Sequence, residues 1–235
     1  MTTPSAVLQE VEVKLLTEDV AVFDRIATCS QFGPFRLERR PTLQLQTTYL
    51  DTDDFLIARH ALALRLRRIG DDGWEASTKG QGQVKGTIHA RPERTVVLPS
   101  APTFPFVPPV ELADGLPAAA IGQTLAPILI SEVERQRLAI KRSAEPQAEA
   151  LAEMALDTAR YRDPKAPERT FATFYEVEVE LETGTQDELR RISRFLQERF
   201  PLHPARDNKL HRGLALLYGP GVWKVPYASP PQSGV

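Results

Sequence analysis

Two stretches near opposite ends of the chain, residues 9–16 (QEVEVKLL) and 175–182 (YEVEVELE), alternate apolar and charged residues over Glu10–Leu15 in the first and throughout the second. A period of two marks an extended strand with one face in a core, because successive side chains point to opposite sides. It sets Val11, Val13 and Leu15 against Glu10, Glu12 and Lys14 in the first stretch. In the second it sets Val177, Val179 and Leu181 against Glu176, Glu178, Glu180 and Glu182. Same-face neighbours stand roughly 7 Å apart, so a row of carboxylates repels itself unless cations or donors lie between. A chain patterned this way forms sheet, and its charged faces need an answer.

The same alternation predicts strands over 8–16, 43–51, 61–69, 73–80, 86–98, 132–141, 150–158 and 173–183. Arg65 and Arg67 share a face, opposite Leu64 and Leu66. Glu75, Ser77 and Lys79 share one, opposite Trp74, Ala76 and Thr78. His89, Arg91 and Glu93 lie together, as do Arg135 with Arg137 and Glu153 with Asp157. Trp74 and Tyr175 fall on apolar faces and read as core. Three helical patterns accompany the strands. One starts at Thr17 as N-cap with Val20, Phe23 and Ala27 on its buried side. A second has Thr185 and Glu188 in capping-box spacing before a Leu189, Ile192, Leu196 stripe. The third, DNKLHRGLALLYG, stops at Gly219. The strands rarely alternate with long helices, so a mostly antiparallel sheet with helices outside fits better than a doubly wound parallel one. No solenoid-length repeat is present.

A sheet with one wet face would explain any single strand. The signs, however, are sorted: the first and last strong strands are acidic and the middle ones basic. That favours a closed barrel, polar inside and covered by helices outside, whose lumen holds a charged ligand. A membrane barrel shares the alternation. It is disfavoured because no export signal opens the chain and several amphipathic helices need an apolar surface to cover. A net charge of -2 gives no global field for nucleic acid. No run of about 20 apolar residues exists for a transmembrane helix. The single cysteine, Cys29, rules out a disulfide within the chain and reads as packed. The expected location is cytoplasmic. His60, His89, His203 and His211 show no metal-ligand spacing. Prolines gather in 99–109, a predicted loop, and in 219–235, a predicted tail or linker.

Buried unpaired ions are expensive. Carboxylate oxygens suit Mg²⁺ or Mn²⁺, and arginine forks suit phosphate. The ligand that answers both sets is a phosphate chain carrying one or two divalent ions. EVEVK at Glu10–Lys14 resembles the ExExK signature of the CYTH superfamily, the triphosphate tunnel metalloenzymes. The likeness continues in order through TTYLDTDDFLIARHALALRLRR, HARPERTV, ERQRLAI, MALDTARY, FYEVEVELETG and DNKLHRG, about residues 7 to 218.

This resemblance implies an α+β fold: an eight-stranded antiparallel barrel, or tunnel, surrounded by helices. It implies Mg²⁺- or Mn²⁺-dependent chemistry on triphosphates, with bacterial inorganic triphosphatases the nearest in pattern. Some of those carry a helical CHAD domain after a linker, where residues 219–235 would run. Lys14, Arg65, Arg67, Lys79, Arg91, Arg135, Arg137, Lys209 and Arg212 are then expected to bind tripolyphosphate. Glu10, Glu12, Glu93, Asp157, Glu176, Glu178 and Glu180 are expected to hold metal. Glu10, Glu12, Lys14 and Glu178 carry catalysis, with metal lowering the pKa of the attacking water. Glu182 is placed at the mouth. Rival functions are a nucleoside or thiamine triphosphatase, an RNA triphosphatase, a class IV adenylate cyclase, or a non-catalytic polyphosphate-binding module. A barrel plugged by the C-terminal helix would exclude long polyphosphate; one open at both ends would admit it. No nucleic acid or membrane partner is expected, and the oligomeric state is left open.

Overall fold

The computed structural model describes residues 8–71, 73–80, 82–142, 148–205 and 207–219. The strands are β1 (Leu8–Thr17), β2 (Gln31–Phe32), β3 (Phe35–Asp51), β4 (Ala63–Ile69), β5 (Gly73–Lys79), β6 (Gln83–Lys85), β7 (Ile88–Leu98), β8 (Ala126–Lys141), β9 (Ala150–Asp163), β10 (Ala166–Leu181) and β11 (His203–Pro204). The helices are α1 (Ala21–Ala27), α2 (Leu56–Arg59), α3 (Val110–Ala113), α4 (Gln186–Arg199) and α5 (Lys209–Tyr218). Pairing runs β1–β10–β9–β8–β3–β4–β5–β7 and returns to β1, closing an eight-stranded antiparallel ring. The short strands β2, β6 and β11 attach to β3, β7 and β1. This is the mostly antiparallel sheet with surrounding helices that the alternation predicts.

Several elements run longer than the alternation predicts. β3 starts at Phe35 and carries Pro41 inside it. The ladder with β8 shifts register between Arg40 and Leu43, as expected where proline removes a donor. β9 and β10 extend past residue 158 as a hairpin, whose turn is held by the Lys165 N–H donating to Asp163 Oδ1 at 2.9 Å. The first helix is corrected. Thr17 is still paired with Tyr175 in the β1–β10 ladder, so it cannot cap a helix. Asp19 accepts from the Ala21 N–H at 2.9 Å instead. The buried side of α1 is Val22, Phe23 and Ile26, while Val20 is exposed. Trp74 is half-buried and lies outside the apolar clusters. Tyr175 packs at the edge of the core against Phe23, ring to edge. Cys29 is partly buried against the same cluster. Residues 220–235, most of the predicted tail, lie outside the described residues.

The outer faces of the ring are roofed in two places. α1 and α4 cover Val13, Leu15, Leu156, Val177 and Val179. Leu189, Ile192 and Leu196 of α4 are fully buried there, each burial stabilising by roughly 1.5–3 kcal/mol. The capping box appears as predicted: Thr185 Oγ1 accepts from the Glu188 N–H, and the Glu188 carboxylate accepts from the Thr185 N–H. α2, α3 and the 99–125 connection cover Leu50, Leu64, Leu66 and Ala76.

A third apolar cluster lies on the other side of the wall. Leu129 and Val133 on β8 and Ala159 and Tyr161 on β9 share the inward parity of Arg135 and Asp157. They pack with Leu45 and Tyr49 of β3 and with Leu210 and Leu214 of α5. α5 therefore fills part of the lumen. Gly213 permits it, because a Cβ there would stand 2.4 Å from the Leu129 side chain. No helix among the described residues is long and apolar enough to cross a membrane.

Candidate active site

Strand register assembles the site. β1 and β10 pair so that Glu12 faces Glu180 and Lys14 faces Glu178. β8 and β9 set Arg135 opposite Asp157, and β4 and β5 set Arg67 opposite Glu75. These side chains enclose a cavity of about 780 Å³. Glu10, Lys14, Arg65, Arg67, Lys79, Arg91, Glu93, Arg135, Glu178, Glu180 and Lys209 line it, with Gln9, Tyr49, Thr95 and Asn208. Glu12, Asp157 and Glu176 are almost wholly buried, a layer beneath the lining.

Two networks hold most of these charges. In the first, Glu178 accepts from Lys14 at 2.9 Å, Lys209 at 2.8 Å and Arg135 at 2.6 Å. Arg135 also grips Asp157 with two bonds, 2.7 and 2.6 Å, and Lys209 reaches Glu176 at 2.7 Å. Burial alone would raise Glu178, but Lys14, Lys209 and Arg135 hold it well below the ordinary carboxylate range. In the second network, Glu10 accepts from Lys79 at 2.7 Å and from Arg91 at 2.8 Å. Arg91 continues to Glu12 at 3.0 Å. Glu93 accepts from Arg65 at 2.7 Å and meets Lys79 at 2.9 Å. Against its burial, Lys79 and Arg91 lower Glu10.

Two places are left under-compensated, on opposite walls. β4 lies four strands from β10 in either direction round the ring. On β4, Arg67 has only the Thr47 hydroxyl at 3.1 Å and Glu75 at 3.6 Å as partners among the described residues. Burial, with Arg65 and Arg135 beside it, pushes its guanidinium down to about 10. It stays protonated at neutral pH and is short of counter-charge. Next to it on β5, burial with Arg65 and Arg91 pushes Lys79 down to about 8. On the acidic wall the imbalance has the opposite sign. Burial raises Glu12, with Glu10 and Glu178 opposing the relief from Lys14 and Arg91. Glu180, directly across the ladder from Glu12, has no ion pair among the described residues. Its carboxyl is open to solvent on one side. Desolvation along the wall, together with Glu10 and Glu12, pushes it up to about 7. Like charges directly opposite in a ladder destabilise it, so this corner favours a cation.

The structure places two expected phosphate ligands elsewhere. Arg137 is held by Glu153 through two bonds, 2.9 and 2.7 Å, at the mouth. Arg212 lies under Glu176 at 3.4 Å, donates to the Asp207 carbonyl at 3.0 Å and stacks over Phe174 at 5.1 Å. Neither lines the cavity. His89 is half-buried, and burial with Lys14 and Arg91 lowers its pKa. Sequence reasoning missed Thr47, Tyr49 and Asn208 because none is charged. The parity of LQLQTTYL contained the signal, since it carries Leu45, Thr47 and Tyr49 on one face.

Oxygen donors that outnumber their local cations are the chemistry Mg²⁺ and Mn²⁺ take, and the Glu10, Glu12, Glu180 corner supplies them. The described residues form no ready cluster of three or more metal-ligating side chains; the carboxylates are instead drawn onto lysines and arginines. The donor set fits a divalent ion that takes the place of some of those cations.

The CYTH domain family matches residues 8–214. The chain belongs to the CYTH family. Solved structures share its fold at low sequence identity. The Hippeastrum protein HpAC1, described as having a dominant triphosphatase activity, is 17% identical with a TM-score of 0.59, covering 86% of this chain and 93% of its own. The PH1819 protein of Pyrococcus horikoshii is 18% identical with a TM-score of 0.52, covering 88% and 98%. This CYTH chain thus carries the fold with the charged faces of β1, β4, β5, β7 and β10 lining its cavity.

Proposed function

We propose that this CYTH protein is a metal-dependent triphosphatase that cleaves inorganic tripolyphosphate to pyrophosphate and phosphate inside the tunnel. The observation that supports it is the polarity across the lumen: Arg67 weakly answered on one wall, and Glu180, opposite Glu12 in the ladder, without an ion pair among the described residues on the other. Seven bases and six acids line the cavity, with Glu12, Asp157 and Glu176 buried just beneath, so a triphosphate entering alone would leave the lumen negative. Anion and divalent ion together answer both walls, and carboxylates would be a liability in a pure anion binder. The described activity of the Hippeastrum relative is consistent with this.

Glu10, Glu12, Glu178 and Glu180 would hold metal, supported by Glu93, Asp157 and Glu176. When bound, Mg²⁺ or Mn²⁺ would neutralise phosphate oxygens and make water nucleophilic at neutral pH. The chain's own residues do the rest. Arg65, Arg67 and Arg135 clamp the anhydride in an extended pose. Lys14 and Lys209 neutralise charge beside the acidic wall. Arg212 holds Glu176 from behind. Phosphoryl transfer asks for little beyond such positioning and charge stabilisation.

A second substrate class has one observation in its favour. Tyr49, Leu62 and Leu210 give one end of the cavity an apolar lining, which an organic group on the triphosphate could occupy. Phosphate release from tripolyphosphate, ATP and thiamine triphosphate, with Mg²⁺, Mn²⁺ or chelator, separates the two. Metal-dependent turnover fastest on tripolyphosphate is expected. Turnover confined to the organic triphosphates would transfer the assignment to them, and none with any substrate would refute hydrolysis.

A further inference from the structure

The mouth of the tunnel carries an ion cluster for which the triphosphatase has no use. Arg40 on β3 donates to Glu153 on β9 at 2.5 Å, and to Glu182, just beyond β10, at 2.6 and 3.2 Å. Arg137 on β8 spends its fork on the same Glu153. Two guanidiniums and two carboxylates thus close on each other. Glu182 borders the cavity, and its side chain is about one-third exposed (36%).

The wall changes character along the lumen toward this rim. Arg67 lines the cavity as a cation with only weak partners among the described residues. At the rim, the next two arginines have carboxylates with first claim on them, and the unpaired Glu180 lies alongside. At the far side α5 occupies the lumen. A phosphate chain held at Arg65 and Arg67 that extended outward would meet, among the described residues, only cations already claimed by carboxylates. It would have to compete with Glu153 and Glu182 for Arg40 and Arg137.

We propose that Glu153 and Glu182 set the length of phosphate chain this tunnel accepts, by holding Arg40 and Arg137 and ending the cationic track at Arg67. The proposal rests on the triphosphate reading and adds chain-length selection to it. A simple staple between strands would affect stability without affecting selection.

The test is calorimetric binding of tripolyphosphate and of long-chain polyphosphate, expressed per chain, with Ca²⁺ as the divalent ion after phosphate release with Ca²⁺ has been checked to be absent. Wild type should prefer tripolyphosphate. The double variant E153Q/E182Q should bind the long chain about tenfold more tightly, as expected for two partly exposed charges removed. Its tripolyphosphate affinity should stay within about twofold. R40Q, which leaves Glu182 unanswered, should move the long chain in the opposite direction, and E182Q alone serves if the double variant fails to fold. An unchanged preference ratio in E182Q and R40Q would overturn the proposal. So would a wild type that already binds long chains as tightly as tripolyphosphate. A wild type that binds neither anion would overturn the triphosphate reading itself, and this proposal with it.

Discussion

β8 contains two opposite solutions to the same problem. Between Leu129 and Val133 its inner face is apolar apart from the buried Ser131, and Leu129 and Val133 pack with α5, while Glu132 and Glu134 point outward. From Arg135 onward the inner face is cationic, and Leu138 and Ile140 turn outward into the core under α1 and α4. The polarity of the wall reverses within one strand with no break in the alternation. The first half is a conventional core with its wet side outside. The second half places its ions inside, against oppositely charged neighbours. The difference teaches that inward direction on this ring does not fix chemistry. What fills the lumen at each level does: a helix at one, ion-paired side chains at the other.

The largest effect should come from the ionic half. Glu178→Gln is expected to cut turnover per folded molecule at least about a hundredfold, by analogy with removal of a preorganised charge stabiliser, and to lower thermal stability as well, because Lys14, Lys209 and Arg135 lose their shared carboxylate. Near-normal steady-state rates in that variant would break the contrast. The core half should respond in stability alone. Leu129→Ala, beneath Gly213, is expected to cost about 2–4 kcal/mol in urea unfolding, with tripolyphosphate turnover per folded molecule changed by less than about twofold. Activity lost without loss of stability would show that α5 belongs to the chemistry.

These two predictions also mark what was legible. Glu10, Glu12, Lys14, Arg65, Arg135 and Glu178 could be found because a period of two identifies a face and sorted signs identify a shared lumen. Arg137 could not be distinguished from Arg135 by spacing. Its capture by Glu153 depends on the β8–β9 register, which places Glu153 on the same face two rungs from where Arg135 meets Asp157. The position of Arg212 behind Glu176 was illegible for a related reason, since helical spacing from Lys209 gives its side of α5 but not the depth at which Glu176 lies. The inner apolar cluster was hidden because alternation reports two faces without saying which is in.

A smaller effect sharpens the anion wall. Arg67→Ala should raise KM for tripolyphosphate about tenfold, the loss of one charge-assisted contact, with kcat little changed. Because Arg67 is under-compensated, the melting temperature should hold or rise slightly; a clear fall would make Arg67 a structural ion.

The smallest effect is outside the tunnel, where a charge is fully answered. Arg142, followed by the helix N-terminus at Thr185, holds Glu188 down to about 2 from an ordinary 4.5. A depressed carboxylate stabilises the fold above its unfolded pKa, and that contribution fades as pH falls from about 4.5 to about 2. Glu188→Gln keeps an acceptor for the cap but loses the charge. Its melting temperature should fall by about 1–2 °C at pH 7 and converge with wild type near pH 2. A gap that persists in acid would assign the effect to packing.

The most direct measurement is a crystal structure with Mn²⁺ and tripolyphosphate, with the metal located by anomalous scattering. Manganese peaks are expected among Glu10, Glu12, Glu178 and Glu180, with phosphate oxygens against Arg65 and Arg67 on the facing wall. Both ligands on the outer surface, or a lumen free of them at saturating concentrations, would contradict the account.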